Sequence, residues 1–264
     1  SQSLAAVGST TALINVFTNL FIGISLGANV LAARYYALEK SKEMSETVHT
    51  AIAFALISGV GMAVIGLLMA KPALELMGTP DDVIAKSTLY MRIYFCGMPF
   101  FMLYNYGAAI LRAVGDTKRP LIFLLISGVI NAILNLFLVI QFHLDVAGVG
   151  IATVISQLIS CILVLRCLYC SESSYQFRPE KLNIRSSYLR QIFEVGIPAG
   201  IQSTVINLSN AMLQSSVNSF GSISMAGYTA ANNIFGFLYV SINSVTQACM
   251  SFTSQNYGVK KLKR

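Results

Sequence analysis

Charged residues are scarce in this 264-residue chain. Asp, Glu, Lys and Arg make up 11% of it against 55% hydrophobic residues, whereas a soluble domain carries roughly 25% charged residues. That deficit excludes an ordinary soluble protein, and the mean hydropathy of +0.66 agrees. Catalytic signatures are missing too. There is no G-x-x-x-x-G-K-[ST] phosphate loop, no H-E-x-x-H, no paired carboxylates within an apolar stretch and no Ser-His constellation. Neither enzymatic chemistry nor ATP-driven pumping is expected, and no cofactor. The five cysteines are an odd number, and Cys167 and Cys170 form one C-x-x-C without a nearby His or second pair. That is a poor metal site, so reduced free thiols are the expectation.

What the chain does have is seven apolar stretches, at about Ala12–Ala33, Val48–Met69, Ser87–Leu111, Leu121–Phe142, Gly148–Leu165, Ile192–Val217 and Met225–Phe252. Every charge except Arg92 and Glu194 falls outside them. Each is about 20 residues, enough at 1.5 Å per residue to cross ~30 Å of hydrocarbon, whereas barrel strands would be about 10 residues of alternating pattern. The fold class is therefore all-α, a polytopic helical membrane protein with seven transmembrane helices.

The connections are asymmetric in charge. One side collects Arg34, Lys40 and Lys42, then Arg112, Lys118 and Arg119, then five basic residues from Arg166 to Arg190, then Lys260, Lys261, Lys263 and Arg264, fifteen in all. The other side has Lys71, Lys86 and the near-boundary Arg92. The positive-inside rule puts the fifteen, and the C-terminus, in the cytoplasm and the N-terminus outside. The net charge of +7 then reports topology and attraction to the lipid bilayer, with no nucleic-acid partner. The chain opens at Ser1 without Met or a signal-peptide pattern and stops in a basic run after a span, so it reads as an internal fragment of a larger protein. A shift of 221 residues lays Ser3-Leu-Ala-Ala on Ser224-Met-Ala-Gly and Tyr36 on Tyr257. Six helices per repeat would give a parent of about twelve spans, a common transporter construction.

Polar side chains recur inside the spans, where they must face another helix or a wet cavity. Asn131 and Asn135 are four apart on one helical face, and each offers a carbonyl oxygen to a hard cation; Thr153 on the next helix adds a hydroxyl. Two readings stand side by side, a Na+ site and interhelical hydrogen bonds of about 0.6–2 kcal/mol each. Asn15 and Asn19 repeat the spacing of four, and Asn207, Asn210 and Gln214 form a further stripe. With Asn105, Gln202, Asn232, Asn233, Asn243, Gln247 and thioethers such as Met102, they suit the uncharged lining of a substrate cavity. The pairs Gly23/Gly27 and Gly196/Gly200 are small-xxx-small faces suited to close helix packing.

The segment Leu111-Arg-Ala-Val-Gly-Asp-Thr-Lys-Arg-Pro120 resembles the loop between the fourth and fifth helices of the MATE (multidrug and toxic compound extrusion) family. Asn131-Ala-Ile-Leu-Asn135, Val146-Ala-Gly-Val-Gly-Ile-Ala-Thr-Val-Ile-Ser-Gln157 and Gly196-Ile-Pro-Ala-Gly-Ile-Gln202 are similar as well. The resemblance covers the whole chain, as the second to eighth of the family's twelve helices. It implies two six-helix bundles facing a central cavity: residues 1–170 in the first, lacking its first helix, residues 171–187 as cytoplasmic linker, and residues 188–264 opening the second. It also implies a monomeric multidrug efflux antiporter of the plasma (cell inner) membrane, exporting organic cations or drugs by xenobiotic transport in exchange for Na+ or H+. The family's first-bundle ion site would fall on Asn131, Asn135 and Thr153, with Asn135 standing where the family has Asp. The alternatives are a flippase for a lipid-linked precursor, which usually needs a basic cavity, and a seven-helix receptor, which would carry an N-terminal tail.

Overall fold

The computed structural model describes residues 2–76, 81–218 and 222–259, and every regular element among them is helical. The elements are α1 (Gln2–Ala37), α2 (Ser41–Leu76), α3 (Asp81–Cys96), α4 (Met98–Ala113), α5 (Lys118–Leu136), α6 (Asp145–Tyr169), α7 (Ser186–Asn218) and α8 (Ser222–Gly258), with a π-helical turn, Phe137–Gln141, continuing α5 and a 3-10 turn at Pro179–Lys181. Among the described residues four stretches are long and apolar enough to cross a membrane: Thr18–Ala37, Ser41–Leu76, Lys118–Gln141 and Asp145–Tyr169. Helices α7 and α8, of 33 and 37 residues, are long enough but diluted by Ser, Thr, Asn and Gln.

The third span, read from sequence as one helix, is two. Pro99 has no amide hydrogen for the carbonyl of Phe95, so the ladder gives way at Gly97, whose amide bonds back only three residues to Tyr94 O at 2.9 Å. Glycine fits this break because a Cβ here would run into Gln157 Oε1 of α6. Helix α4 ends with Gly115 in the left-handed region at φ 89°. Its amide donates to Arg112 O at 3.0 Å and that of Asp116 to Leu111 O at 3.0 Å, a Schellman closure. Asp116 Oδ1 then accepts the amide of Arg119 at 3.2 Å, starting α5 one turn later. The family-like loop is thus a stop and a restart written in four residues.

Helices α1, α2, α3, α4 and α6 share one core, with Met44, Val48, Met91, Phe95, Met98, Met102, Tyr106, Ile110 and Leu168 almost fully buried. Helix α5 is the opposite: only Pro120 and Ser127 are buried, and Leu121, Leu124, Leu125, Val129 and Ile133 face outward. An outward apolar face this long suits lipid, which is as apolar as leucine.

Helix α7 lies along α1 through glycine. A Cβ on Gly23 would overlap the backbone of Gly200, one on Gly27 the carbonyl of Ile192, and one on Gly196 would sit 2.6 Å from Ile24 Cα. Both small-xxx-small faces expected to serve packing are therefore used, and against each other.

Candidate ion and substrate site

Asn131, Asn135 and Thr153 sit on the facing surfaces of α5 and α6, all half-buried. Asn135 Nδ2 donates to Asn131 Oδ1 at 3.0 Å, and Asn131 Nδ2 donates to Ser156 Oγ at 3.3 Å. Ser156 Oγ in turn donates to Thr153 O at 2.8 Å. The Thr153 hydroxyl turns back to Val149 O at 2.9 Å and does not join the asparagines. The two asparagines are thus brought together, and a serine completes the chain in place of the threonine hydroxyl. Asn135 Oδ1 is buried with no hydrogen-bond partner, which leaves an amide oxygen without a donor in a low-dielectric setting. The π turn Phe137–Gln141 follows directly, a widening that often accompanies functional sites.

The residues assigned to a cavity lining disperse over several surfaces. Met102 is fully buried in the core. Asn105 is half-buried and its Nδ2 donates to Phe101 O, one turn back in the same helix, at 2.8 Å. Asn15 and Gln202 are exposed and Asn19 is half-buried. On α7, Asn207 and Asn210 share an exposed face, Asn207 Nδ2 donating to Ser203 O at 2.8 Å, and Asn232 is exposed on α8. Gln247 is half-buried and lines a pocket against α4 and α5. The side chains of Gln214 and Asn233, and residues Lys260 to Arg264, lie outside the described residues.

Sequence reasoning missed a polar seam at the basic end. Asn29 of α1, 4% exposed, donates Nδ2 to Ala109 O of α4 at 2.8 Å and accepts Ser251 Oγ of α8 at 3.1 Å. One helical turn further along α8, Gln255 Nε2 donates to Ala113 O at 2.6 Å. The connecting bridge is strapped across the same end. Arg185 Nε pairs with Glu46 Oε2 at 3.0 Å, and its amide donates to Thr50 Oγ1 at 3.2 Å. His49 stacks on Phe177 and accepts the Arg178 amide at Nε2, 3.1 Å, while its Nδ1 lies 2.6 Å from Ser45 O. Donation to a carbonyl at Nδ1 and acceptance at Nε2 assign the neutral Nδ1–H tautomer. Tyr35 reaches Gln191 Oε1 at 3.1 Å and packs edge-on to Tyr188, whose hydroxyl is raised above its ordinary pKa by burial, with Tyr35, Glu43 and Glu46 adding to the effect. At the opposite end Lys86 Nζ pairs with Asp145 Oδ2 at 2.8 Å, tying α3 to the start of α6. Among the described residues no cluster of three or more His, Cys, Asp or Glu is placed to hold a metal.

Known proteins agree with this architecture. The "Probable multidrug resistance protein YoeA" of Bacillus subtilis (strain 168) is 31% identical over all of this chain and 58% of its own length. The "Probable multidrug resistance protein YpnP" of the same organism is 25% identical over all of this chain and 59% of its own. The chain thus spans somewhat more than half the length of these relatives. Among solved structures, an "Outward-facing conformation of a multidrug resistance MATE family transporter of the MOP superfamily" superposes with a TM-score of 0.86 at 20% identity, covering all of this chain and 59% of that one. The "Inward-facing conformation" of such a transporter gives 0.77 at 19% identity, covering 96% of this chain and 62% of that one. The model of the MatE family matches residues 1–137 and 198–264, and with a multi-pass helical fold of this kind the chain belongs to that family.

Proposed function

We propose that the full-length protein is a monomeric exporter of small organic cations or lipophilic drugs in the plasma membrane. It exchanges them for Na+ or H+ by alternating access. In this reading residues 1–170 belong to one bundle and residues 188–264 open the second, with the basic end in the cytoplasm under the positive-inside rule. The polar seam and the strapped bridge close that end. The higher TM-score to the outward-facing structure than to the inward-facing one supports the same assignment. The printed names of the relatives support drugs as substrates.

The observation that carries the ion coupling is the buried Asn135 Oδ1, which has no hydrogen-bond partner, on the carboxamide whose Nδ2 donates to Asn131 Oδ1. Amide oxygens offer a cation only neutral dipoles, so stable binding in a low dielectric needs a carboxylate from elsewhere in the protein. The test is drug efflux by the full-length protein in vesicles under a Na+ or pH gradient, normalised to folded protein. Asn131→Ala is expected to weaken gradient-driven efflux while leaving folding largely intact, and Asn135→Asp to strengthen ion binding. Unchanged efflux for both Asn131→Ala and Thr153→Ala would show that these residues are interhelical hydrogen bonds and nothing more.

A further inference from the structure

A pocket of about 640 Å³ lies at the basic end between the α4–α5 corner and α8, within the range of ligand-sized cavities. Arg112 lines it, half-buried in the last turn of α4. Among the described residues Arg112 makes no ion pair and no side-chain hydrogen bond. Several acceptors on the neighbouring residues already receive other donors. Ile110 O receives the Val114 amide, Leu111 O that of Asp116, Arg112 O that of Gly115, and Ala113 O receives Gln255 Nε2. The Tyr104 hydroxyl is committed to Pro120 O at 3.0 Å, and the Asp116 carboxylate to Arg119 at 3.4 Å. A guanidinium carries five donors in a planar fork that matches phosphate oxygens. The rest of the wall is largely apolar, including Phe252, Leu121 and Leu124, the last two 57% and 53% exposed on the outward face of α5.

A partly sheltered cation without an anion, beside an apolar ramp open to the bilayer, calls for a molecule that is anionic at one end and apolar at the other. We propose that this pocket binds the phosphate headgroup of an anionic phospholipid, with Arg112 as its counter-charge and Leu121 and Leu124 against the acyl chain. Because the walls come from α4, α5 and α8 together, the pocket is complete only while α8 lies against α4. A lipid bound here therefore favours the state in which the basic end is closed, by binding that state more tightly than the other.

The test uses the full-length protein with a Phe252→Trp reporter in nanodiscs containing brominated phosphatidylglycerol or brominated phosphatidylcholine. Quenching of the reporter is expected at a mole fraction about fivefold lower for phosphatidylglycerol, the attraction of roughly one basic residue for anionic lipid. Arg112→Lys should keep most of that preference, while Arg112→Gln should bring the two curves together. Ala248→Glu, which leaves Arg112 in place and offers it a carboxylate across the pocket, should do the same, and it decides the question if Arg112→Gln fails to fold. Equal quenching by the two lipids in the parent, or a preference that survives both Arg112→Gln and Ala248→Glu, would overturn the proposal. Relief of quenching by millimolar inorganic phosphate would overturn the lipid assignment in favour of a soluble anion.

Discussion

Two seams join α7 and α8 to the helices before them, and they are made of opposite materials. Between α1 and α7 the close approach is glycine against backbone, at Gly23, Gly27, Gly196 and Gly200, with no room for a single added carbon, and Tyr35 adds a hydrogen bond to Gln191 only at the basic end. Between α8 and its neighbours α1 and α4 the contact is amide and hydroxyl, through Asn29, Ser251 and Gln255. Dense backbone packing gains dispersion energy from many atom pairs, all of which are given up together when the helices part. A hydrogen bond exchanged for water changes free energy by only about 0.5–1.5 kcal/mol. The glycine seam therefore suits a pivot that stays closed, and the polar seam suits a contact that opens.

Breaking the pivot should have the largest effect. Gly196→Val places side-chain atoms where Ile24 backbone stands at 2.6–2.8 Å. A loss of about 1–3 kcal/mol is expected from such overpacking, read as a lower thermal midpoint of the full-length protein in detergent. Gly61 and Gly128 have nothing within 4 Å of an added Cβ, so Gly61→Val should shift the midpoint much less. Equal shifts for Gly196→Val and Gly61→Val would remove the distinction between a packed seam and an ordinary helix face.

Asn29→Leu should act on the other seam and chiefly on its equilibrium. Losing the bond from Ser251 is expected to raise the open population at the basic end by about fivefold, for roughly 1 kcal/mol, with little change in thermal midpoint beyond that amount. The weight of the longer distance between spin labels at Lys118 and Tyr257, with Ser251 left intact, measures it.

The bridge should give the smallest effect. His49→Ala removes the acceptor for the Arg178 amide and the stack on Phe177. About 1 kcal/mol or less is expected, visible as faster limited proteolysis between residues 171 and 185 with the rest of the chain intact. Cleavage unchanged from the parent would mean that Arg185 with Glu46 and Thr50 holds the bridge without His49.

Much of this was legible in the sequence. The apolar stretches locate the helices, because a bilayer demands apolar helix of a fixed length, but the helices run six to ten residues past them at Gln2, Ser41, Leu76, Asp81, Ser186 and Gly258, where polar residues continue the same backbone ladder. The break at Gly97 was half legible: Pro99 announced a bend, but Gln157 lies 60 positions away in the chain, and no local pattern announces that α6 approaches there. The glycine pairs announced packing faces without naming each other as partners, since a small-xxx-small pattern says how closely a helix can be approached and not by which helix. Asn131 and Asn135 were legible as a pair from their spacing of four. Ser156 was not, because a serine inside a span ordinarily satisfies itself on its own helix, as Ser156 also does at Thr153 O. Asn29 stood alone among small residues on α1, and its partners come from α4 and from α8, 222 positions later.

Under the proposed function, the basic end of the full-length protein opens and closes around the glycine pivot while drug and ion exchange. Spin labels at Lys118, at the start of α5, and Tyr257, an exposed residue in the last turn of α8, report that distance in the reconstituted full-length protein. One short distance should dominate without substrate, and a second, longer one should gain population when drug is added or the Na+ or H+ concentration is changed. A single distance that stays the same under every combination of drug and ion would contradict it.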